Sequence, residues 1–297
     1  MAYAIERGES ISKALPRIVV ERVETAHEQL LDRSRPMEER IHNVRKRFKE
    51  TRAALRLIRF SLGKQFAIEN AWFRDAARDL ATLRDADAVI ESIEKLGEFA
   101  DGFHDRRVLR KVRRRLERAR RRAKRDELDA RITNTAQQLP VAKARVSLWS
   151  PLDDRFDTIG DGLRRTFRDG GRAFQDARTQ PSPETFHQWR KRVKDHWYHS
   201  QILRHLWPEV MKPHREQMER LSDALGDRHD LDMLQQIAVE NGDFQSDFDL
   251  QVLHALIDRR SVELTATATT LGERIYAERP RAVYDKFEGY WKAWTAD

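Results

Sequence analysis

The sequence predicts an all-α fold built from two copies of one helical bundle, and three observations carry that prediction. Apolar residues recur at helical spacing, as in Val108, Val112, Leu116, Ala119 and Ala123, and no stretch alternates with period two for long enough to argue a strand. Only 12 Gly and 9 Pro occur in 297 residues, so breaks are few and elements long. One motif also occurs twice: residues 42–49 read H-N-V-R-K-R-F-K and residues 187–194 read H-Q-W-R-K-R-V-K, identical at five of eight positions at an offset of 145. The same offset carries Leu80 onto Leu225, Asp85 onto Asp230, Asp87 onto Asp232, Arg59 onto Arg204 and Pro36 onto Pro181. Separated matches that hold one register without a gap point to duplication.

The halves then run over about 5–148 and 153–297, joined by Val146-Ser-Leu-Trp-Ser-Pro-Leu-Asp153, whose proline and serines suit a connector. In the first half, helices are expected over about 9–33, 38–63, 69–97 and 103–138, with breaks at Arg35-Pro36, near Gly63, and from Gly97 to Gly102. In the second half they are expected over about 153–178, 183–206, 209–238 and 247–274, with a further helix over about 278–295. Pro36 and Pro181 stand near the first turn of the next helix, where a missing N–H costs least.

Composition narrows the class. Apolar residues at 39% supply a core, and 36% charged residues suit long amphipathic helices with solvated faces. The absence of cysteine removes disulfides and thiolate metal sites. Residues 1–12 include Glu6, Arg7, Glu9 and Ser10 and lack the apolar run of a signal peptide, and no stretch approaches the roughly 20 apolar residues of a membrane span. A soluble cytoplasmic protein is the expectation. Lys and Arg exceed Asp and Glu by 57 to 49, an excess that matters only where it is clustered.

It is clustered on the repeated helix. With His42 at zero on a helical wheel, Arg45, Lys46 and Lys49 fall at about −60°, +40° and −20°. Arg52, Arg56 and Arg59 continue the stripe at about −80°, −40° and −100°, with Val44, Phe48 and Leu55 nearly opposite. The result is an apolar side for the bundle and a cationic side about 25 Å long. His187, Arg190, Lys191 and Lys194 repeat the first turns in the second half, and Arg204 extends them. Glu50 and Asp195 are expected off this face, leaving it unneutralised. Charged helix faces are ordinarily solvated surface. Like charges at i,i+4 nevertheless repel, and a face that keeps them twice suggests an anionic ligand, with Arg binding phosphate bidentately and Lys as a point charge. A histidine among such cations is expected to stay neutral in the free protein and to gain charge when an anion arrives.

These motifs, H-x-x-R-K-R-x-K at 42–49, its twin at 187–194 and L-x-x-L-R-D-x-D at 80–87, resemble the CHAD family, the conserved histidine α-helical domain. The second half shows the last motif as Leu225-Gly-Asp-Arg-His-Asp-Leu-Asp232, and the likeness covers nearly the whole chain, 1–297. The resemblance implies two four-helix bundles related by a pseudo-twofold axis, with the basic helices lining a central groove or pore. It implies binding of inorganic polyphosphate and recruitment to polyphosphate granules, and makes His42, Arg45, Lys46, Lys49, His187, Arg190, Lys191 and Lys194 the phosphate contacts. Arg52, Arg56, Arg59 and Arg204 are added from the wheel alone. The copies differ: Arg52 and Arg56 align with Trp197 and Gln201, and Arg84 with His229, so the groove is expected to be asymmetric.

Three features stand outside this face. Asp85, Asp87, Asp230 and Asp232 could hold Mg²⁺, although carboxylates beside a basic cluster more often orient an Arg or Lys, so no metal is expected. From Arg106 to Arg125, 13 of 20 residues are Arg or Lys, on a helix whose counterpart at 251–270 has only Arg259 and Arg260. This belt could extend a polyphosphate surface, bind nucleic acid or touch an anionic membrane. His196, His199 and His205 lack an acidic partner at ligand spacing, and packed or hydrogen-bonded roles are expected for them. No Walker loop, G-x-S-x-G, H-E-x-x-H or E-x-E-x-K signature is present, so a non-catalytic binding protein without a cofactor is expected. The alternatives are a nucleic-acid binder, which lacks interleaved aromatics and a groove-reading motif here, and a granule-surface scaffold.

Overall fold

Every element of the computed structural model is a helix, and the model describes residues 3–80, 84–100, 102–121, 125–240 and 247–296. The first half holds α1 (Ile11–Leu31), α2 (Met37–Leu57), the one-turn α3 (Arg59–Leu62), α4 (Lys64–Asp79), α5 (Arg84–Phe99), α6 (Phe103–Arg121) and α7 (Arg125–Val146). The second half holds α8 (Asp157–Thr179), α9 (Pro183–Ile202), α10 (Pro208–Glu240), α11 (Asp247–Ile275) and α12 (Pro280–Ala296).

The local chemistry explains the boundaries that matter. Helix α2 starts behind Pro36 with Glu38 and Glu39 in its first turn, where carboxylates complement the positive helix end. Helix α9 starts with a reciprocal cap: the Ser182 hydroxyl accepts from the Thr185 N–H at 3.1 Å, the Ser182 N–H donates to the Thr185 hydroxyl at 3.0 Å, and Pro183 supplies the preset first turn. Near Gly63 the expected break is real, because that residue adopts φ +52°, ψ −122°, a conformation that side chains resist. The sequence places a single helix over 38–63, but regular α2 stops at Leu57, with Ile58 at φ −101°, ψ 18° before α3. The expected third helix of the first half breaks at Leu80, between α4 and α5, and the expected fourth is described as α6 and α7, whereas α10 and α11 are continuous.

Two apolar cores form. The first joins α1, α2, α4 and α7 to Phe156, Ile159 and Leu163 at the start of α8 and to Val283, Phe287 and Trp291 of α12. The second joins Val89 and Ile93 of α5 and Val108 and Val112 of α6 to Phe174, Trp189, Leu221, Leu234, Leu253 and Leu271. The cores therefore cross the sequence halves, since α5 and α6 pack with α10 and α11.

Helices α2 and α9 lie against one another. His199, fully buried on α9, has its Nε2 2.9 Å from the Ala53 carbonyl of α2. Helix α8 crosses the end of α2 so closely that a Cβ on Gly162 would stand 1.9 Å from the Leu57 carbonyl oxygen, a crossing that only glycine permits. His196 is also buried, edge-on to Phe167 and 5.4 Å from the His214 ring.

Candidate functional site

Because α2 and α9 are neighbours, their two basic stripes meet. A cavity of about 430 Å³ opens between them, lined from α2 by Arg45, Lys49, Arg52 and Arg56 and from α9 by His187, Gln188, Arg190, Lys191, Arg192, Lys194, Asp195 and Tyr198. Helix α4 adds Arg74 and Arg78, and α10 adds His229.

Eight of the twelve residues expected from the sequence thus share one cavity: Arg45, Lys49, Arg52, Arg56, His187, Arg190, Lys191 and Lys194. The other four stand elsewhere. His42 is half-buried one turn before Arg45, and Lys46 is exposed and acts on Glu50 instead. Arg59 lies beyond the break at Ile58, where the helical wheel no longer applies, and packs over the Phe60 and Phe66 rings at 5.6 and 4.8 Å. Arg204 follows the end of α9 and donates to the Tyr3 and Gln201 carbonyls at 2.8 and 3.2 Å.

The cavity has a neutralised floor. Arg56 and Asp195 are each 8% exposed, and the Asp195 carboxylate lies 3.3 Å from Arg56 Nη1 and 3.2 Å from Arg192 Nη1. The expectation that Asp195 stays off the basic face is therefore corrected: it faces Arg56 across the α2–α9 interface, a pairing that a wheel drawn for one helix cannot reveal. Glu50 behaves as expected, turning away to half-buried Arg47 and buried Arg22 at 2.7 and 3.6 Å. Arg52 donates from Nε to Asn70 Oδ1 at 3.1 Å, and burial together with Arg56 pushes its pKa down to about 10. It remains a cation at neutral pH.

The histidines form a second layer. The His187 and His229 rings are 4.4 Å apart, centroid to centroid. Burial and then the neighbouring Arg190 push His229 down to about 4, with His187, Lys191 and Lys49 acting in the same direction. Burial, Lys191 and Arg190 lower His187 as well. Lys49 of α2 thus acts electrostatically on histidines of α9 and α10. Both rings are neutral at pH 7, as a histidine held among cations should be.

The residues missed by the motif search are Arg74, Arg78, Arg192 and His229. His229 had a signal, since it replaces Arg84 at the repeat offset. Arg192 lies within the repeated motif itself, about 140° from His187 on a helical wheel and so off the stripe. For the aspartates, Asp232 stands 3.8 Å from Arg228, which covers the Phe186 ring at 3.8 Å, an orienting role rather than a ligating one. Asp85 and Asp87 fall outside the residues whose side chains are described. Among the described residues, no group of three or more His, Asp or Glu could hold a metal ion, and no helix is long and apolar enough to cross a membrane.

A family model, the CHAD domain, matches residues 19–239. Two solved structures are similar. PptA from Streptomyces chartreusis superposes with a TM-score of 0.61 at 13% identity, covering 91% of this chain and 100% of that one. The CHAD domain from the plant Ricinus communis gives 0.61 at 15% identity, covering 91% of this chain and 94% of that one. No curated protein matches the chain.

Proposed function

Because the chain belongs to the CHAD-domain family, we propose that it binds inorganic polyphosphate, without catalysis, in the basic cavity between α2 and α9, and that this binding targets it to polyphosphate granules. The proposed contacts are Arg45, Lys49, Arg190, Lys191 and Lys194, with His187 beside them and Arg52 and Arg56 in the floor. His42 stands one turn before Arg45, and Lys46 lies exposed between Arg45 and Lys49, where a longer chain would pass. The two sequence repeats, 5–148 and 153–297, would each supply one of the two basic helices. One observation carries the reading: cations from helices 145 residues apart converge on a single cavity. The chemistry fits, since guanidinium pairs phosphate oxygens bidentately and the neutral histidine pair can take up a proton as negative charge enters.

Competition binding tests it. Long-chain polyphosphate should bind at physiological salt, weaken steeply as salt rises, and outcompete single- and double-stranded nucleic acid. Equal affinity for all three would overturn the reading in favour of a general nucleic-acid binder. Replacing Lys49 and Lys194 by alanine should lose binding with helicity intact, and cosedimentation with polyphosphate granules should be lost with it.

A further inference from the structure

The arginine-rich stretch seen in the sequence takes no part in the cavity. Residues 106–121 lie on α6, which packs on α5 and α11, whereas the cavity is lined from α2, α4, α9 and α10. Val108, Leu109 and Val112 are at most 3% exposed, so the apolar stripe of α6 is committed to the second core. The outer face carries Arg107, Arg110, Arg114 and Arg118, all exposed. Their spacing puts them on one stripe about 16 Å long. Carboxylates lie on the flanks instead: Lys111 pairs with Asp249 at 2.7 Å, and Arg113 with Glu94 and Glu117 at 2.9 Å. None of the four stripe arginines meets a carboxylate among the described residues. Duplication does not account for them either, because the corresponding arginines of the second half, Arg259 and Arg260, cover the Phe99 ring at 4.5 and 5.1 Å.

We propose that this face of α6 is a second phosphate-binding surface, which takes the part of a polyphosphate chain that extends beyond the cavity and so makes binding depend on chain length. The proposal rests on the reading of the cavity as a polyphosphate site. Four like charges at i,i+3 and i,i+4 spacing repel one another, and a linear polyanion relieves that repulsion. A cavity of about 430 Å³ encloses only a short run of phosphates, which leaves the rest of a long chain outside it, tethered to the protein at high effective concentration. A bilayer would need apolar side chains beside the charges, and Val108, Leu109 and Val112 of α6 are buried in the second core. Single-stranded nucleic acid would need aromatic platforms, and the stripe has none among the described residues.

The test compares the full chain with a variant carrying Arg107→Gln, Arg110→Gln, Arg114→Gln and Arg118→Gln, titrated with tripolyphosphate and with long-chain polyphosphate over a range of salt. The variant should keep its tripolyphosphate affinity and bind the long chain at least tenfold more weakly, since linked sites commonly gain 10² or more. Its salt slope for the long chain should fall by about 3, at about 0.7 per lost contact. Unchanged long-chain affinity overturns the proposal, as does equal loss of both ligands. Loss of duplex-RNA binding alone would also overturn it, marking a nucleic-acid surface. Failure of the unaltered protein to bind tripolyphosphate would instead strike at the cavity reading. Substituting the same four positions by lysine should restore most of the long-chain affinity.

Discussion

Asp195→Asn separates a phosphate site from a merely charged interface. The substitution keeps the shape of the side chain and removes the one carboxylate in the floor, leaving Arg56 and Arg192 facing each other. Breaking a buried ion pair by neutralising one partner costs about 3–5 kcal/mol. Arg192 retains 27% of its side-chain exposure and the cavity is open to water, so the low end, about 3 kcal/mol, applies. For a chain of 297 residues, at about 2.1 cal/mol/K each, the unfolding entropy is about 0.6 kcal/mol/K, and the loss amounts to about 5 °C in Tm. An anion should reverse it. Two uncompensated guanidinium groups bind phosphate more tightly, and a ligand of the folded state stabilises by RT ln(1 + [L]/Kd). Scanning calorimetry in a phosphate-free buffer, with and without tripolyphosphate, should therefore show a lower Tm for the variant and a larger ligand-induced rise. Equal ligand-induced rises in the two proteins would refute the reasoning, because Asp195 would then be acting on packing alone. So would an unchanged Tm without ligand.

Alanine at Arg59 and Arg204 should leave polyphosphate affinity within about twofold in a filter-binding assay, because one packs on Phe60 and Phe66 and the other is tied to the Tyr3 carbonyl, whereas alanine at Arg190 should weaken it at least tenfold. The depressed pKa values of His187 and His229 favour the neutral rings in the free protein, so an entering anion raises them and binding takes up protons: affinity should rise as pH falls from about 7 toward 5, and calorimetry in two buffers of different ionisation enthalpy should show the uptake shrink in His229→Ala. His214, pushed to about 4 mainly by burial, and His196, held well below the usual histidine range by burial, favour the fold only while neutral, so their contribution is present above the unfolded pKa of about 6.5 and is lost as pH falls toward 4, which a Tm-versus-pH series will read. Gly162→Ala drives a methyl into the Leu57 carbonyl and should cost upwards of about 3 kcal/mol by chemical denaturation, the overpacking range for a site with no room to shift.

The all-helical fold was legible because helical period and sparse glycine are properties of sequence alone. Helices α8 to α12 lie within a few residues of where the periodicity puts them. The site was legible as far as it could be drawn on single helices: the stripe from Arg45 to Arg56 and the one from His187 to Lys194 do reach one cavity. What failed did so at helix ends and between helices. Arg59 and Arg204 were placed by continuing a wheel past Leu57 and Ile202, where regular backbone stops. Asp195 was discounted because its position relative to α2 is a tertiary fact. The cores were illegible for the same reason, since an apolar stripe on α5 or α6 says that it is buried but not that α10 and α11 bury it.

The arrangement also resolves an objection to gathering so much positive charge in one place. A cavity whose cations were all unpaired would oppose its own folding. Here the charges are graded by depth: Arg56 and Arg192 share Asp195 in the floor, Arg52 is held by Asn70, and burial, aided by the cations around them, favours the neutral forms of His187 and His229. The free protein thus carries less positive charge at the site than its residue count implies. If the site takes a polyanion as proposed, the incoming charge would offset the cations' share of that balance, and positive charge would develop where and when negative charge enters. A cavity built only of arginine and lysine could match the charge but not that conditional response, which gives the histidine at the head of the basic motif a physical reason for being there.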